Sequence, residues 1–447
     1  RELWAIRSAG VGLLGKVEGR ARPVAFVEDC VVPPEELPAF LDGFLDILTK
    51  AGLGFGIYGH VDVGCLHIRP ALDIDAERDR ETLVAVSDAI FALVNRHGGI
   101  FWGEHGKGVR GAYLEGWIGP EAYAALQGVK AAFDPSGRFN PGKLVSVDAP
   151  VMGIATTPFR PFNAPEGDPL EKAFRCNGNA QCLSYAASVP MCPSFKATAD
   201  LRQSPKGRAD ALRAWHEDRR RGTQEVDEAD LLGTLDTCLG CKACASSCPV
   251  QVDIPSMRAA FFADYYARHA RPLTDRAMLL AERLSPWLQR AAPLMRPAWP
   301  LARRIAERVL GVTDLPSEIA RPLPRAARIA PGDLRDAALP ERTVLVWMDW
   351  FSALYDGATQ RDVRRGLTAL GYRPLFVDMR PAGKVAGDLG DRKGFRRMAE
   401  ALAASLREAA ARKVPMIGLD PAFVMALRQD YRKAGLDVPE VLLPQEF

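Results

Sequence analysis

Cys238-Leu239-Gly240-Cys241-Lys242-Ala243-Cys244-Ala245-Ser246-Ser247-Cys248-Pro249 lies near the middle of a 447-residue chain and decides how that part is built. Three thiols recur at intervals of three, and a fourth follows four residues later, directly before a proline. This spacing wraps three thiolates around one four-iron four-sulfur cluster, while the pre-proline thiolate often serves a neighbouring cluster. Zinc also accepts four thiolates, but the compressed spacing and the proline favour iron–sulfur. Upstream, Cys176-x2-Asn179-x2-Cys182-x9-Cys192-Pro193 reads as a degenerate copy, with Asn179 in the place of the second cysteine. If the pre-proline cysteines exchange sites, Cys192 completes the cluster on Cys238, Cys241 and Cys244, and Cys248 joins Cys176 and Cys182. Alternatively, Cys248 closes the first cluster and Cys192 is released. Asn179 is a hard, neutral donor and a poor substitute for thiolate, so the second site is expected to be labile, incomplete or empty.

Seven of the nine cysteines fall between Cys176 and Cys248, and none follows. Such clustering points to ligation rather than to the disulfide framework of a short secreted chain, and hence to a reducing compartment. Cys30 and Cys65 stand apart and read as buried small apolar residues. The apolar fraction of 48 % and charged fraction of 25 % are those of an ordinary globular protein, and no apolar run is long enough for a membrane span. A net charge of +3 gives no reason to expect a nucleic-acid partner. The chain starts at Arg1 and stops at Phe447 after a strand-like run, so both ends read as cuts.

The fold class expected is multidomain α+β. Residues 1–150 mix helical periods (37–51, 81–97) with strand-like runs (23–27, 54–58, 66–69), an α+β layer. A Pro- and Gly-rich linker over 151–168 leads into a helical cysteine domain, 165–270. Residues 271–335 carry prolines at 286, 293, 297, 300 and 316, which predict short helices. Their arginines and tryptophans suit either a membrane surface near a quinone pool or, preferably, packing with solvated arginines. Residues 340–447 alternate strands (343–348, 374–378, 415–419, 438–443) with helices (358–370, 392–411, 421–434). That alternation predicts an α/β domain with a parallel sheet and no cluster.

Two motifs in the first domain carry chemistry. Gly59-His60-Val61-Asp62-Val63-Gly64-Cys65-Leu66-His67 places two imidazoles across a turn, and Gly103-Glu104-His105-Gly106-Lys107-Gly108 adds a carboxylate and a third imidazole. Two His and one Glu form a ligand set for zinc or a similar divalent metal with an open position, where a substrate oxygen could bind. His105, beside Glu104, is then a candidate general base. Each histidine taken alone is more often a core or surface residue; their grouping in two Gly-flanked motifs favours one shared site.

These motifs, together with Phe26-Val27-Glu28-Asp29 and the run from Phe133-Asp134-Pro135 to Asn140-Pro141-Gly142-Lys143, resemble the C-terminal, substrate-side domain of FAD-linked oxidases. The family is that of the D-lactate, glycolate and D-2-hydroxyglutarate dehydrogenases. The resemblance covers about residues 1–146. It implies His60, His67 and Glu104 as metal ligands, His105 as the catalytic residue and Arg7 as the carboxylate clamp; Arg69 and Lys107, beside the motifs, are further substrate-binding candidates, and Glu104, His105, Asn140 and Lys143 are expected near the flavin. Asp62, Val63 and Cys65 stand where Gly, Asp and Asn are usual, and Arg69 where Asn is frequent. The family binds FAD chiefly through a preceding domain. The cysteine region resembles ferredoxin-type domains fused to such enzymes, as does Ser204-Pro205-Lys206-Gly207-Arg208, to which no chemistry attaches. Taken together the resemblance implies FAD- and iron–sulfur-dependent oxidation of a D-2-hydroxy acid, foremost D-2-hydroxyglutarate to 2-oxoglutarate, with electrons passed through a 4Fe-4S cluster to a quinone or redox protein. Glycolate or D-lactate oxidation, or a non-catalytic electron-transfer module, are the alternatives. A cytoplasmic homo-oligomer is expected, with peripheral contact at the inner membrane as the less favoured alternative for the arginine-rich helices. Arg7, Arg69, Lys107 and Arg110 lie in or beside the motifs and could clamp two carboxylates, which favours a dicarboxylate substrate.

Overall fold

The computed structural model describes residues 21–447 apart from 75, 142, 144, 146–168, 177 and 313. Arg7 and the linker over 151–168 therefore lie outside the described residues. The chain divides into two compact units, one of residues 1–217 and 243–252, the other of 218–242 and 253–447.

In the first unit the sheet is built on β4 (Cys65–Leu72), which pairs antiparallel with β1 (Arg22–Pro23), β2 (Cys30–Val31) and β3 (Phe55–His60). The run 23–27 was expected to be a strand, but only its first residue pairs; the chain then turns inward and buries Phe26 and Val27. Two helices, α1 (Leu37–Lys50) and α2 (Glu77–Arg96), cover one sheet face. Their apolar residues recur at helical spacing, Phe40, Phe44 and Leu48 meeting Leu83, Val86, Ile90 and Leu93. Along β4 the period of two decides which residues go where. Leu66, Ile68 and Leu72 enter this core, so Cys65, His67 and Arg69 face the other way. The β3–β4 turn demands glycine at 64, where φ is +72° and a Cβ would lie 1.9 Å from the Val32 carbonyl oxygen. After α3 (Leu114–Ile118) and α4 (Pro120–Phe133), the cysteine-bearing part is made of short 3₁₀ segments, α5 (Pro193–Thr198), the start of α6 (Pro205–Arg221) and a five-residue helix, Ala243–Ser247.

The second unit contains a parallel sheet in the order β5 (Arg328–Ile329), β7 (Arg373–Val377), β6 (Thr343–Trp347), β8 (Met416–Gly418). Every residue of β6 is buried, as expected of a central parallel strand with helices on both faces. Leu345 and Trp347 meet α12 (Arg392–Ala410), while Val344 and Val346 meet α10 (Gly357–Ala369). Residues 438–443 do not form the expected fourth strand. They make one parallel bridge, Ile417 to Leu442, and Pro439 takes one amide donor out of the segment. The fourth strand is instead the short β5.

The prolines of 271–335 cut this region less than predicted, with a break at Pro297 before α9 (Trp299–Leu310). Helix α8 (Leu273–Met295) runs through Pro286 and Pro293. Pro286 cannot donate to the Glu282 carbonyl, but the Ser285 hydroxyl does so at 2.6 Å, so that oxygen is satisfied. The buried Glu282 carboxylate then accepts the amides of Val385 and Ala386 at 3.1 and 3.0 Å, at the start of α11 (Lys384–Asp388). No helix among the described residues is long and apolar enough to cross a membrane.

Helix α7 (Ile254–Arg268) is capped by Asp253, which accepts the Ser256 amide and hydroxyl and pairs with Lys433. Burial pushes the Asp253 carboxyl up, but the Lys433 ammonium and the Ser256 donors together hold it below the usual carboxylate range. The stability it confers is therefore complete above the unfolded-state value of about 3.9 and is lost as pH falls through the lower folded value. Asp253→Ala should destabilise this unit by about 1–2 kcal/mol at pH 7. In urea unfolding monitored by circular dichroism, the difference from the parent chain should shrink as the pH is lowered below 4.

Candidate active site

The antiparallel register pairs His60 with Cys65, Tyr58 with His67 and Gly56 with Arg69. Since side chains alternate along each strand, Tyr58, His60, Cys65, His67 and Arg69 share the sheet face opposite the core. The loop carrying Glu104 and His105 is brought to this face by Asp29. That buried residue has φ +72°, a conformation that Asp tolerates better than most residues, and its two carboxylate oxygens accept the amides of Glu104 and His105, each at 2.9 Å.

Glu104 Oε1 is the hub. His67 Nε2 lies 3.0 Å from it, His60 Nε2 3.2 Å and His105 Nε2 3.4 Å. The His67 and His105 rings stack at 4.8 Å, and Tyr58 stacks on the other side of His67 at 4.6 Å. One carboxylate oxygen offers about two lone-pair directions, so it cannot accept well from three N–H groups. Ligands of a tetrahedral ion at about 2.0–2.1 Å stand about 3.3 Å apart, so the spacing fits donors converging on a cation. Asp29, His67, Glu104 and His105 present ligand atoms within 4.8 Å of one another. The residues thus fit a divalent ion. His67 is nearly fully buried; that burial, together with the neighbouring His105, lowers its pKa and favours the neutral imidazole a metal requires. Its buried Nδ1 has no hydrogen-bond partner among the described residues.

Around this hub, Arg69 donates from Nε to Glu28 at 2.5 Å and from Nη2 to the Tyr58 hydroxyl at 3.3 Å. Glu28 also lies 3.4 Å from His105 Nδ1. Arg110 departs from expectation: it is buried and its guanidinium donates to the carbonyls of Glu28, Phe101 and Gly106, so it braces the loop and is not available as an anion clamp. Lys107 is half-buried in the same loop. Asn140 and Lys143 sit in a turn after α4, with Asn140 at φ +46° accepting the Lys143 amide. Cys65 is buried beside His67 and Asp29, and burial followed by the Asp29 charge pushes its thiol up to about 11. Asp29 and Glu28 were missed as site residues; their only signal was membership of the Phe26–Asp29 run.

Residues 1–144 match the family described as FAD linked oxidases, C-terminal domain, and residues 172–252 match the 4Fe-4S dicluster domain. The chain carries both domains. It is 34 % identical to a D-2-hydroxyglutarate dehydrogenase of Escherichia coli over 97 % of this chain and 47 % of the relative. A Pseudomonas putida protein of the same name is 34 % identical over the whole chain and 49 % of the relative. The chain thus spans about half the length of these two relatives. A glycolate oxidase subunit of Bacillus subtilis is 34 % identical over 29 % of the chain and 28 % of its own length.

In the dicluster domain, burial raises the thiols of Cys176 and Cys182, opposed by backbone N–H donors from Gly178 to Cys176 and from Lys206 to Cys182. Donors of this kind favour the thiolate that a cluster takes. Arg208, almost wholly buried, points Nη1 at the Cys192 sulfur at 3.8 Å. Gly207 lets the start of α6 pack on the preceding turn, for a Cβ there would lie 2.1 Å from the Leu201 carbonyl oxygen. The sequence drew attention to this stretch without showing its chemistry.

In the FAD-linked oxidase domain, Asp29→Ala should free both loop amides. A buried polar group left without its partner costs about 1–3 kcal/mol, so exchange at Glu104 and His105 should quicken roughly ten-fold or more in hydrogen–deuterium mass spectrometry. Asp29→Asn, which keeps one acceptor and tolerates the left-handed backbone, should fall between.

Proposed function

We propose that this chain forms the substrate and electron-exit part of a D-2-hydroxy acid dehydrogenase acting foremost on D-2-hydroxyglutarate. The observation that carries this reading is the convergence of three imidazoles on Glu104 within a domain similar to FAD-linked oxidases. When bound, FAD would supply a hydride acceptor, the divalent ion Lewis acidity at the substrate oxygen, and the iron–sulfur cluster a one-electron exit. His60, His67 and Glu104 would hold the ion beside the substrate. His105 takes the proton of the 2-hydroxyl, with Glu28 beside its Nδ1 to steady the imidazolium that results. Arg69 lies on the same strand face as His67 and is half-exposed, so its guanidinium can meet a substrate carboxylate while Glu28 holds it from behind. Arg7 and Lys107 are the remaining clamp candidates, and a second clamp suits a dicarboxylate. Asn140 and Lys143 are proposed to face the flavin. Cys238, Cys241 and Cys244 are proposed as thiolates of the exit cluster, with Cys192 as the fourth and Arg208 donating to its sulfur.

Two measurements test this. With flavin bound, kcat/KM for D-2-hydroxyglutarate should exceed that for D-lactate at least ten-fold; a preference for D-lactate would refute the dicarboxylate assignment. His67→Ala should lose the divalent ion in metal analysis, and activity with it, while the cluster absorbance remains. Full activity in that variant would sink the metal assignment.

A further inference from the structure

A dicluster domain with two ordinary four-iron clusters needs eight thiolates, and this chain has seven cysteines between residues 176 and 248. The missing one is at Asn179. Its side chain is committed locally: Oδ1 accepts the Gln181 amide at 3.1 Å, within a loop turned by left-handed Gly178 and Ala180. A neutral amide oxygen is in any case a weak ligand for soft iron–sulfur. The residues present therefore do not fit two four-thiolate clusters.

They do fit a smaller set. Cys176, Cys182 and Cys248 all belong to the first unit, and each lies within electrostatic reach of the others: Cys248 acts on Cys176, and both act on Cys182. Cys182 is buried and the other two are half-buried. The Lys206 amide that donates to Cys182 belongs to the first turn of α6, a helix of 17 residues whose dipole favours negative charge there.

We propose that Cys176, Cys182 and Cys248 bind a second iron–sulfur cluster whose fourth iron has no thiolate and is exchangeable, Asn179 standing where the missing ligand would be. The site holds a four-iron cluster when iron is plentiful. On oxidation by ferricyanide, one electron passes to the oxidant and one ferrous ion leaves, converting a [4Fe–4S]²⁺ core into [3Fe–4S]⁺. This inference rests on the cluster domain and not on the substrate assignment, so either can fail alone.

The test is electron paramagnetic resonance of the full chain after anaerobic reconstitution and ferricyanide treatment, with iron and sulfide analysis. The parent chain should contain more iron than the roughly four atoms of one cluster and should show the spin-half signal of an oxidised three-iron cluster. Asn179→Cys should abolish that signal and, on reduction, give two four-iron clusters. Cys182→Ala should lose the signal while keeping the other cluster. Iron no higher than one cluster with no three-iron signal would overturn the proposal. So would a parent chain holding two clusters that both survive ferricyanide intact. Both of these outcomes are measured on the parent chain, so poor folding of a variant does not shield the idea.

Discussion

Two amide hydrogen bonds to the buried Asp29 carboxylate hold the Glu104–His105 loop against the β3–β4 hairpin. The hairpin can present His60 and His67 by register alone, since strand alternation fixes which face they occupy. The third imidazole and the carboxylate come from a loop, which has no such ladder to position it. Asp29 replaces the ladder, and Arg110 reinforces it by crossing from the loop to the carbonyls of Glu28 and Phe101. Without that bracing, Glu104 Oε1 would not sit where three Nε2 atoms can surround it.

Much of this was legible in the sequence, and the limits follow from physics. Helices α1, α2, α10 and α12 were readable from apolar period, and β3, β4, β6 and β7 from short β-rich runs. The histidines and Glu104 were readable because ligand types clustered between glycines. Asp29 was not, because a buried carboxylate carries no periodic or motif signal, and the amides it accepts lie some 75 positions away. Arg110 misled for a related reason. An arginine beside a site motif looks like an anion clamp until its donors are found on backbone carbonyls. The unbroken α8 was hidden because sequence rules charge Pro286 for a lost hydrogen bond but cannot credit the Ser285 hydroxyl that compensates.

The two halves of the chemistry use different means to place their groups. Around Glu104 a sheet register and one carboxylate orient imidazoles to within a few tenths of an ångström of each other's distance from its Oε1. In the cysteine-bearing part, short turns and helix starts bring backbone N–H groups to sulfur, and short 3₁₀ segments suffice because the sulfurs of a cluster are cross-linked by its iron rather than by the protein.

Glu282 gives the second unit a particular folding problem. Its carboxylate serves the start of α11 across 103 and 104 residues, Arg271 reaches the Leu389 carbonyl across 118, and Lys433 reaches Asp253 across 180. Contacts of such separation have to wait for loop closure, so the parallel sheet and the helices before it should consolidate together and late, as one cooperative body. A recombinant piece starting at β6 would reach the ribosome exit with the Ala386 amide uncapped and the seat of Glu282 empty. Anyone seeking to express the cysteine-free sheet alone would do better to begin the piece at the start of α7.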